Sequence, residues 1–280
     1  MTTIAPIISI DELVDHPDAV IADVRWYLDG RSGRAAYEAG HLPGAVFVDL
    51  ERDLSTPAEV PTAGRHPLPD PEAFAAAMSG LGIGDDSTVI AYDDTGGMTA
   101  GRLVVMLRML GRDAAVLDGG IGLWTGELMD GAGVIPEQLE FTPCEWPTDR
   151  LADEAGVAET ATAERGLVLD ARHHERFTGE VTQIDPRPGH IPGAANAPWV
   201  DNIDPATGRF RSALELRERF NALGASDSDT VVAYCGSGVS ACMNVLGMER
   251  AGLPVPRLYV ASFSGWSANP DRDVEMGPGR

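Results

Sequence analysis

Short apolar runs alternate along this chain with longer stretches of helix-forming residues. β-Branched and aliphatic side chains dominate five runs that predict buried strands: residues 19–24, 46–48, 88–92, 168–171 and 230–234. Helices are predicted over 71–78, 99–110, 121–129, 214–223 and 241–251. Strands that alternate with helices in this way are typical of parallel sheets covered by helices on both faces. The pattern therefore predicts an α/β fold.

Several phrases of the sequence occur twice and in the same order. GHLPGA at residues 40–45 returns as GHIPGA at 189–194, and TVIAY at 88–92 returns as TVVAY at 230–234. Trp124 near the end of the first copy corresponds to Trp266 in the second. The second copy is about seven residues shorter between its two main phrases. The repeat predicts two homologous α/β domains of similar size.

The stretch between the two copies is rich in proline and shows little periodicity. We expect an N-terminal domain over residues 1–130, a linker over 131–154 and a C-terminal domain over 155–280. Cys144 falls in the linker and is expected to be incidental.

Composition excludes several classes of function. Hydrophobic residues make up 44% of the 280 positions, enough for a sizeable core. The net charge of -22 disfavours nucleic acid and anionic membranes as partners. Every cationic residue is arginine, so no step can depend on a lysine. The sequence shows neither a signal peptide pattern nor an apolar run long enough for a membrane span, and we expect a cytoplasmic protein.

The candidate for chemistry is Cys235, which follows the predicted strand 230–234 and precedes a glycine-broken loop and a helix. Backbone N–H groups and the positive end of a helix stabilise a thiolate at such a place. Gly236 and Gly238 allow the loop to curl with its N–H groups inward. The repeat places Asp93 opposite Cys235, and a carboxylate there indicates a cleft or surface position rather than a core one.

Three reactions use a cysteine in a loop at the start of a helix. A cysteine phosphatase needs an arginine six places after the nucleophile, where this chain has Ala241. A disulfide enzyme needs a nearby resolving cysteine, and Cys242 lies about two helical turns away, where we expect a core residue. Three cysteines without a CxxC pair predict neither a disulfide framework nor a metal site. Sulfur transfer through a cysteine persulfide remains.

These motifs, together with LDGG at residues 117–120 and the CGSGVS loop, resemble the rhodanese superfamily and specifically its tandem two-domain sulfurtransferases. The resemblance implies two rhodanese-like domains, each a mainly parallel sheet flanked by helices. It also implies a catalytically inert first domain, with Asp93 in the place of the cysteine, and a site between the domains. No cofactor is implied.

The resemblance also bears on the sulfur donor and the acceptor. The neutral loop CGSGVSA favours 3-mercaptopyruvate, while thiosulfate is the alternative donor and a non-enzymatic sulfur-carrier or binding module is a more distant alternative. Acceptors would be cyanide or a thiol, with a thioredoxin-like reductant as a further candidate partner. Residues 260–266, VASFSGW, depart from the DGSWSEW-like phrase of many relatives, and this departure bears on donor preference.

The resemblance carries over roles for individual residues. Cys235 and Ser237 would be catalytic, and the substrate would be bound by Arg176, Arg187, Gly236, Gly238, Val239 and Ser240. His41 is a candidate partner of Ser237 in a Ser-His-acid arrangement. The alternatives are solvated surface arginines and a purely structural histidine, since His190 occupies the equivalent turn without a catalytic role to explain it. The remaining histidines are expected at the surface: His16, His66, His173 and His174.

Overall fold

The computed structural model describes residues 4–181 and 183–279, and these divide into two compact units. The first unit comprises the chain up to Thr56, Leu68–Trp146 and Pro205–Phe210. The second comprises Pro57–Pro67, Pro147–Asp204 and the chain from Arg211 onward. The main boundary falls inside the segment 131–154 predicted as a linker. Two short segments belong to the unit of the other half, and one of them, Pro57–Pro67, contributes to the candidate site.

The first unit is built on a five-stranded parallel sheet in the order β1-β5-β4-β2-β3. Its strands are β1 (Ile7–Ile8), β2 (Val20–Asp23), β3 (Val46–Phe47), β4 (Val89–Tyr92) and β5 (Ala114–Leu117). Its helices are α1 (Gly33–Ala39), α2 (Leu50–Asp53), α3 (Pro71–Gly80) and α4 (Ala100–Met109). The central strands β4 and β5 are buried along their whole length, as expected for a sheet covered on both faces.

The second unit repeats this plan with a four-stranded parallel sheet in the order β7-β6-β8-β9. Its strands are β6 (Gly166–Asp170), β7 (Ala195–Asn196), β8 (Thr230–Tyr234) and β9 (Arg257–Leu258). Its helices are α5 (Glu154–Thr162), α6 (His174–Thr178), α7 (Ala213–Ala222), α8 (Ala241–Arg250) and α9 (Ser262–Ala268). The predicted α/β class and the parallel sheets flanked by helices are confirmed.

One predicted helix, over residues 121–129, is wrong. The structure has only a short 3-10 turn there, Gly120–Leu123. The turn begins with Gly119 and Gly120 at positive φ values, 81° and 52°, and the backbone is already extended at Trp124, with ψ of 125°. The Trp124 ring packs over Gly126, where a Cβ atom would lie 2.7 Å from the indole. Glycine therefore produces a tight turn where the apolar pattern alone suggested a helix.

The turns that carry the repeated GHxPGA phrase are tied to the sheets in the same way in both units. In the first, the Arg25 guanidinium pairs with Asp23 at 2.6 Å and donates to the Gly40 carbonyl at 2.7 Å. In the second, Arg172 pairs with Asp170 at 2.6 Å and donates to the Gly189 carbonyl at 2.8 Å. Both ion pairs are buried. Because charge-assisted hydrogen bonds are strong and a buried pair is costly to break, each arginine fixes its turn against the sheet.

None of the helices in the described ranges combines the length and the apolar character that crossing a bilayer requires.

Candidate active site

Cys235 follows β8 directly, at the carboxyl end of the parallel sheet, where ligand sites of α/β proteins lie. The residue is buried, with 2% of its surface exposed. Its N–H donates to Ser262 Oγ at 3.1 Å, and its carbonyl accepts from the Phe263 N–H at 2.9 Å. The start of α9 therefore fixes the backbone of the cysteine.

Ser262 has a left-handed backbone, with φ of 53°, the only such non-glycine residue in the described ranges. Its counterpart in the first unit is Gly120, with φ of 52°, next to Ile121, whose N–H donates to the Asp93 carbonyl at 3.1 Å. A serine in this conformation costs about 1–2 kcal/mol. Ser262, which the DGSWSEW-like phrase also has, thus keeps the shape of the turn formed by Gly120 in the first unit and adds a hydroxyl that holds Cys235.

The equivalent loop of the first unit is closed around the Asp93 carboxylate. Five donors point at its two oxygens within 2.8–2.9 Å: the N–H groups of Thr95, Gly97, Thr99 and Ala100, and the Thr99 hydroxyl. Gly96 and Gly238 take the same left-handed conformation in the two loops, at φ of 72° and 77°. A loop of this kind holds an anion at the position that Cys235 occupies in the second unit.

Two guanidinium groups lie against the residue that follows the cysteine. A Cβ atom on Gly236 would lie 2.7 Å from Arg176 Nη2 and 2.8 Å from Arg65 Nη2. The structure thus places Arg176, which the resemblance names as a substrate-binding residue, near the cysteine loop, together with Arg65, which the sequence did not single out. The loop itself carries no charged residue from Cys235 to Ala241.

Asp185 joins these arginines. Its carboxylate accepts from Arg176 Nη2 at 2.6 Å and Arg65 Nη1 at 2.9 Å. Arg172 Nη1 lies 3.3 Å away. Burial opposes ionisation of Asp185, but the Arg176 guanidinium, with Arg65 and Arg172, outweighs it and holds the pKa of that carboxyl below its usual range. Asp185 is therefore an anion that is already resident among the arginines.

A histidine lies beside the predicted catalytic serine. His66 Nδ1 is 2.8 Å from Ser237 Oγ, and the two residues are 6% and 8% exposed. The expectation that His66 lies at the surface is wrong. The histidine that the structure brings to Ser237 is His66, whereas the sequence offered His41 for this place.

The segment Pro57–Pro67 reaches the site because its backbone packs closely against α9. Gly64 has φ of 82°, and a Cβ atom there would lie within 2.4 Å of the Ala261 carbonyl oxygen. Gly265 is restricted in the same way, because a Cβ atom there would lie 2.5 Å from the Thr62 carbonyl oxygen. The Arg65 N–H also donates to Ser264 Oγ at 3.1 Å. These contacts fix Arg65 and His66 on the second unit.

The remaining residues predicted to bind the substrate lie in different environments. Arg187 donates to the carbonyls of Ser267 and Asn269, both at 2.8 Å, and so caps the carboxyl end of α9. These partners are structural, and we do not carry Arg187 into the donor site. Val239 is buried and Ser240 is half-buried in the loop before α8.

His41 has the contacts of a structural residue. Its Nδ1 atom lies 2.9 Å from the Tyr37 carbonyl, and its ring stacks on Tyr37 at 3.9 Å. His190 repeats both contacts with Phe177, at 2.9 Å and 3.7 Å. Two histidines with the same contacts in both units have the same explanation, which is to hold the turn. We therefore leave His41 out of the mechanism proposed below.

Comparison with known proteins agrees with the fold and the repeat. The family model for the rhodanese-like domain matches the chain twice, over residues 9–127 and 154–269. A probable 3-mercaptopyruvate sulfurtransferase of Pseudomonas aeruginosa is 41% identical over 272 residues, which cover 94% of each chain. A putative thiosulfate sulfurtransferase of Mycobacterium tuberculosis is 37% identical over 92% of this chain and 90% of its own.

The fold of the chain is also similar to that of a solved structure. The crystal structure of a 3-mercaptopyruvate sulfurtransferase from Escherichia coli aligns with a TM-score of 0.80 at 31% identity, covering 92% of this chain and 99% of the other. The chain described here belongs to the rhodanese family, as a member with two rhodanese-like domains.

Proposed function

We propose that this chain is a sulfurtransferase that carries sulfur as a persulfide on Cys235, with 3-mercaptopyruvate as the donor. One observation carries the proposal: a cysteine at the end of a buried parallel strand, with two guanidinium groups against the next residue, Gly236. A nucleophile and a pair of carboxylate-binding arginines from two other segments thereby meet at one loop.

In the first half-reaction, the Cys235 thiolate attacks the sulfur of the donor. A sulfur–sulfur bond forms and the donor's carbon–sulfur bond breaks, with its electron pair leaving on carbon as the enolate of pyruvate. The proton of the donor thiol ends on that carbon, so the products are pyruvate and an anionic persulfide. We assign the relay of this proton to the Ser237–His66 pair, whose Oγ and Nδ1 atoms are 2.8 Å apart.

The persulfide needs donors that stabilise its terminal sulfur. The Asp93 loop provides the support for this step, since five donors there hold an anion in the equivalent position. The N–H groups of the Cys235 loop would serve the persulfide in the same way, with Gly236 and Gly238 permitting the curl. Asp93 cannot act as a sulfur nucleophile of this kind, and we propose that the first domain, residues 1–130, is inert.

Binding of the donor carboxylate falls to Arg176 and Arg65. Both present Nη atoms at Gly236, and in the described ranges the buried Nε atoms of both have no hydrogen-bond partner. Because Gly236 has no side chain, the two guanidinium groups can approach the position where a Cβ atom would lie. Gly238, Val239 and Ser240 complete the loop around the donor in this proposal.

In the second half-reaction, an acceptor takes the outer sulfur and Cys235 returns as a thiolate. Cyanide would become thiocyanate, and a thiol would become a persulfide. A thioredoxin-like reductant is a further proposed acceptor, and a cytoplasmic location remains a prediction that cell fractionation can test.

Thiosulfate is the rival donor, favoured by the name of the M. tuberculosis relative. Steady-state kinetics with each donor separates the two, because a ping-pong pattern and a larger kcat/KM with 3-mercaptopyruvate are expected. A larger kcat/KM with thiosulfate would reverse the donor assignment. Turnover with neither donor would favour a carrier or binding module.

A further inference from the structure

The arginine cluster near Cys235 contains its own anion. Arg65 and Arg176 both pair with Asp185, whose side chain is only 7% exposed. Arg172 also reaches Asp185, but its main partner is Asp170, with which its guanidinium forms three hydrogen bonds. The cluster is therefore three guanidinium groups against two carboxylates.

The charge of this cluster follows directly. Arg172 and Asp170 neutralise one another, and Asp185 cancels one of the two remaining guanidinium charges, which leaves a net charge of +1. The loop from Gly236 to Ala241 adds no charge, and the Cys235→Ser protein used below lacks the thiolate that the reaction requires. A site with one net positive charge matches a monoanion and leaves the second charge of a dianion uncompensated.

We infer that Asp185 sets the charge selectivity of the donor site, admitting monoanionic carboxylate donors and disfavouring dianions such as thiosulfate. The inference rests on the proposed function for the identity of the donor, but the charge preference is a property of the site itself. Asp185 is a specificity-determining residue in this account: it sets the charge and the orientation of Arg65 and Arg176 and does not take part in the sulfur transfer.

The geometry explains why Asp185 acts on charge without closing the site. Its carboxylate accepts a hydrogen bond from Arg65 Nη1, while Arg65 Nη2 lies next to Gly236. On Arg176 it accepts from Nη2, the nitrogen that also lies nearest to the Gly236 Cβ position at 2.7 Å, while Nη1 lies 3.3 Å from that position. Asp185 therefore accepts from one Nη atom of each guanidinium, and the other Nη atom of each lies at the cysteine loop without a bond to Asp185.

Two ions of similar shape and different charge isolate this property: methanesulfonate, a monoanion, and sulfate, a dianion. Their binding is measured by calorimetry on the Cys235→Ser protein, which cannot turn over, with and without Asp185→Asn. Coulomb energy scales with the charge of the ion, so the fold-gain in affinity for sulfate is expected to be about the square of the gain for methanesulfonate. We expect sulfate to bind at least tenfold more tightly after the substitution.

A matched control is Asp229→Asn, which removes the same charge from an exposed ion pair with Arg165, just before β8 at the end of the strand opposite to Cys235. It is expected to leave both affinities unchanged. Equal gains for the two ions, or a loss for both, in Asp185→Asn would overturn the inference. If that variant does not fold, Asp185→Ser takes its place with the same two ions, and equal gains or a joint loss of affinity there overturn the inference in the same way.

The same substitution in the protein with Cys235 should raise the ratio of kcat/KM for thiosulfate to that for 3-mercaptopyruvate at least tenfold. If the unsubstituted protein turns over neither donor, the proposed function fails while the calorimetry still decides the charge selectivity. If it turns over 3-mercaptopyruvate and the ratio does not rise, the selectivity inference alone fails.

Discussion

His66 Nδ1 lies 2.8 Å from Ser237 Oγ, and both residues are buried. The histidine comes from a segment of the first half of the sequence that packs on the second unit, and the serine comes from the cysteine loop. A hydroxyl in contact with an imidazole is the arrangement that a proton relay requires. This contact defines the first test of the mechanism.

Replacing His66 by glutamine should lower kcat with 3-mercaptopyruvate by roughly 10²–10⁴-fold, the usual contribution of a positioned acid–base group. Rapid-quench measurement of pyruvate release should place the loss in the first half-reaction. His41→Gln is the matched control, since His41 contacts the Tyr37 carbonyl and ring. It should retain turnover and lose about 1–3 kcal/mol of unfolding free energy. The reverse pattern would return the catalytic role to His41.

Arg176→Met should raise KM for 3-mercaptopyruvate roughly ten- to hundredfold, the cost of losing a charge-assisted hydrogen bond to the donor carboxylate. Arg65→Met should act in the same direction. Arg187→Met should instead lower thermal stability with little change in KM, because its guanidinium binds the carbonyls of Ser267 and Asn269. A large rise in KM for Arg187→Met would restore that arginine to the donor site.

Gly236→Ala should raise KM severalfold, because the new Cβ would lie 2.7 Å from Arg176 Nη2 and 2.8 Å from Arg65 Nη2 and would displace both. The discharge of a preformed persulfide to cyanide should be nearly unaffected. Gly122→Ala is a matched control, because a Cβ at Gly122 has no neighbour within 4 Å. Unchanged KM in Gly236→Ala would show that the two guanidinium groups do not bind the donor.

The pH dependence of stability should contain a contribution from His190. Burial lowers the pKa of His190, against the raising effects of the Phe177 carbonyl, Glu275 and Asp170. The folded state therefore binds its proton at lower pH than the unfolded state. The unfolding free energy should fall as the pH decreases below about 6.5, the ordinary pKa of histidine, because the unfolded chain then binds the proton first.

Denaturant titrations at neutral and mildly acidic pH test this contribution. The fall in unfolding free energy should be smaller in His190→Gln than in the unsubstituted protein. An identical fall in the two proteins would show that His190 does not contribute.

The sequence was sufficient for the fold, because the repeat and the alternation of strands and helices are local patterns. It predicted the parallel sheets and placed Cys235 at the end of β8. Arg65 and His66 could not be found in this way, because no repeated phrase contains them. The available signal was the first copy's excess of about seven residues between its two main phrases, the interval in which Pro57–Pro67 lies.

Two of the predicted site residues have partners in the structure that the sequence did not indicate. His41 and Arg187 carry suitable chemistry, but spacing does not reveal which way a side chain points. Backbone carbonyls of Tyr37 and Ser267 bind them. Asp185 was not predicted because the proposed donor is an anion, and a site that binds an anion is not expected to contain a carboxylate.

The central claim is that Cys235 carries the sulfur. The purified protein, incubated with 3-mercaptopyruvate without an acceptor, is weighed intact by mass spectrometry. We expect one added sulfur atom per chain, removed by cyanide and absent from Cys235→Ser. An unmodified mass, or the same added sulfur in Cys235→Ser, would contradict it.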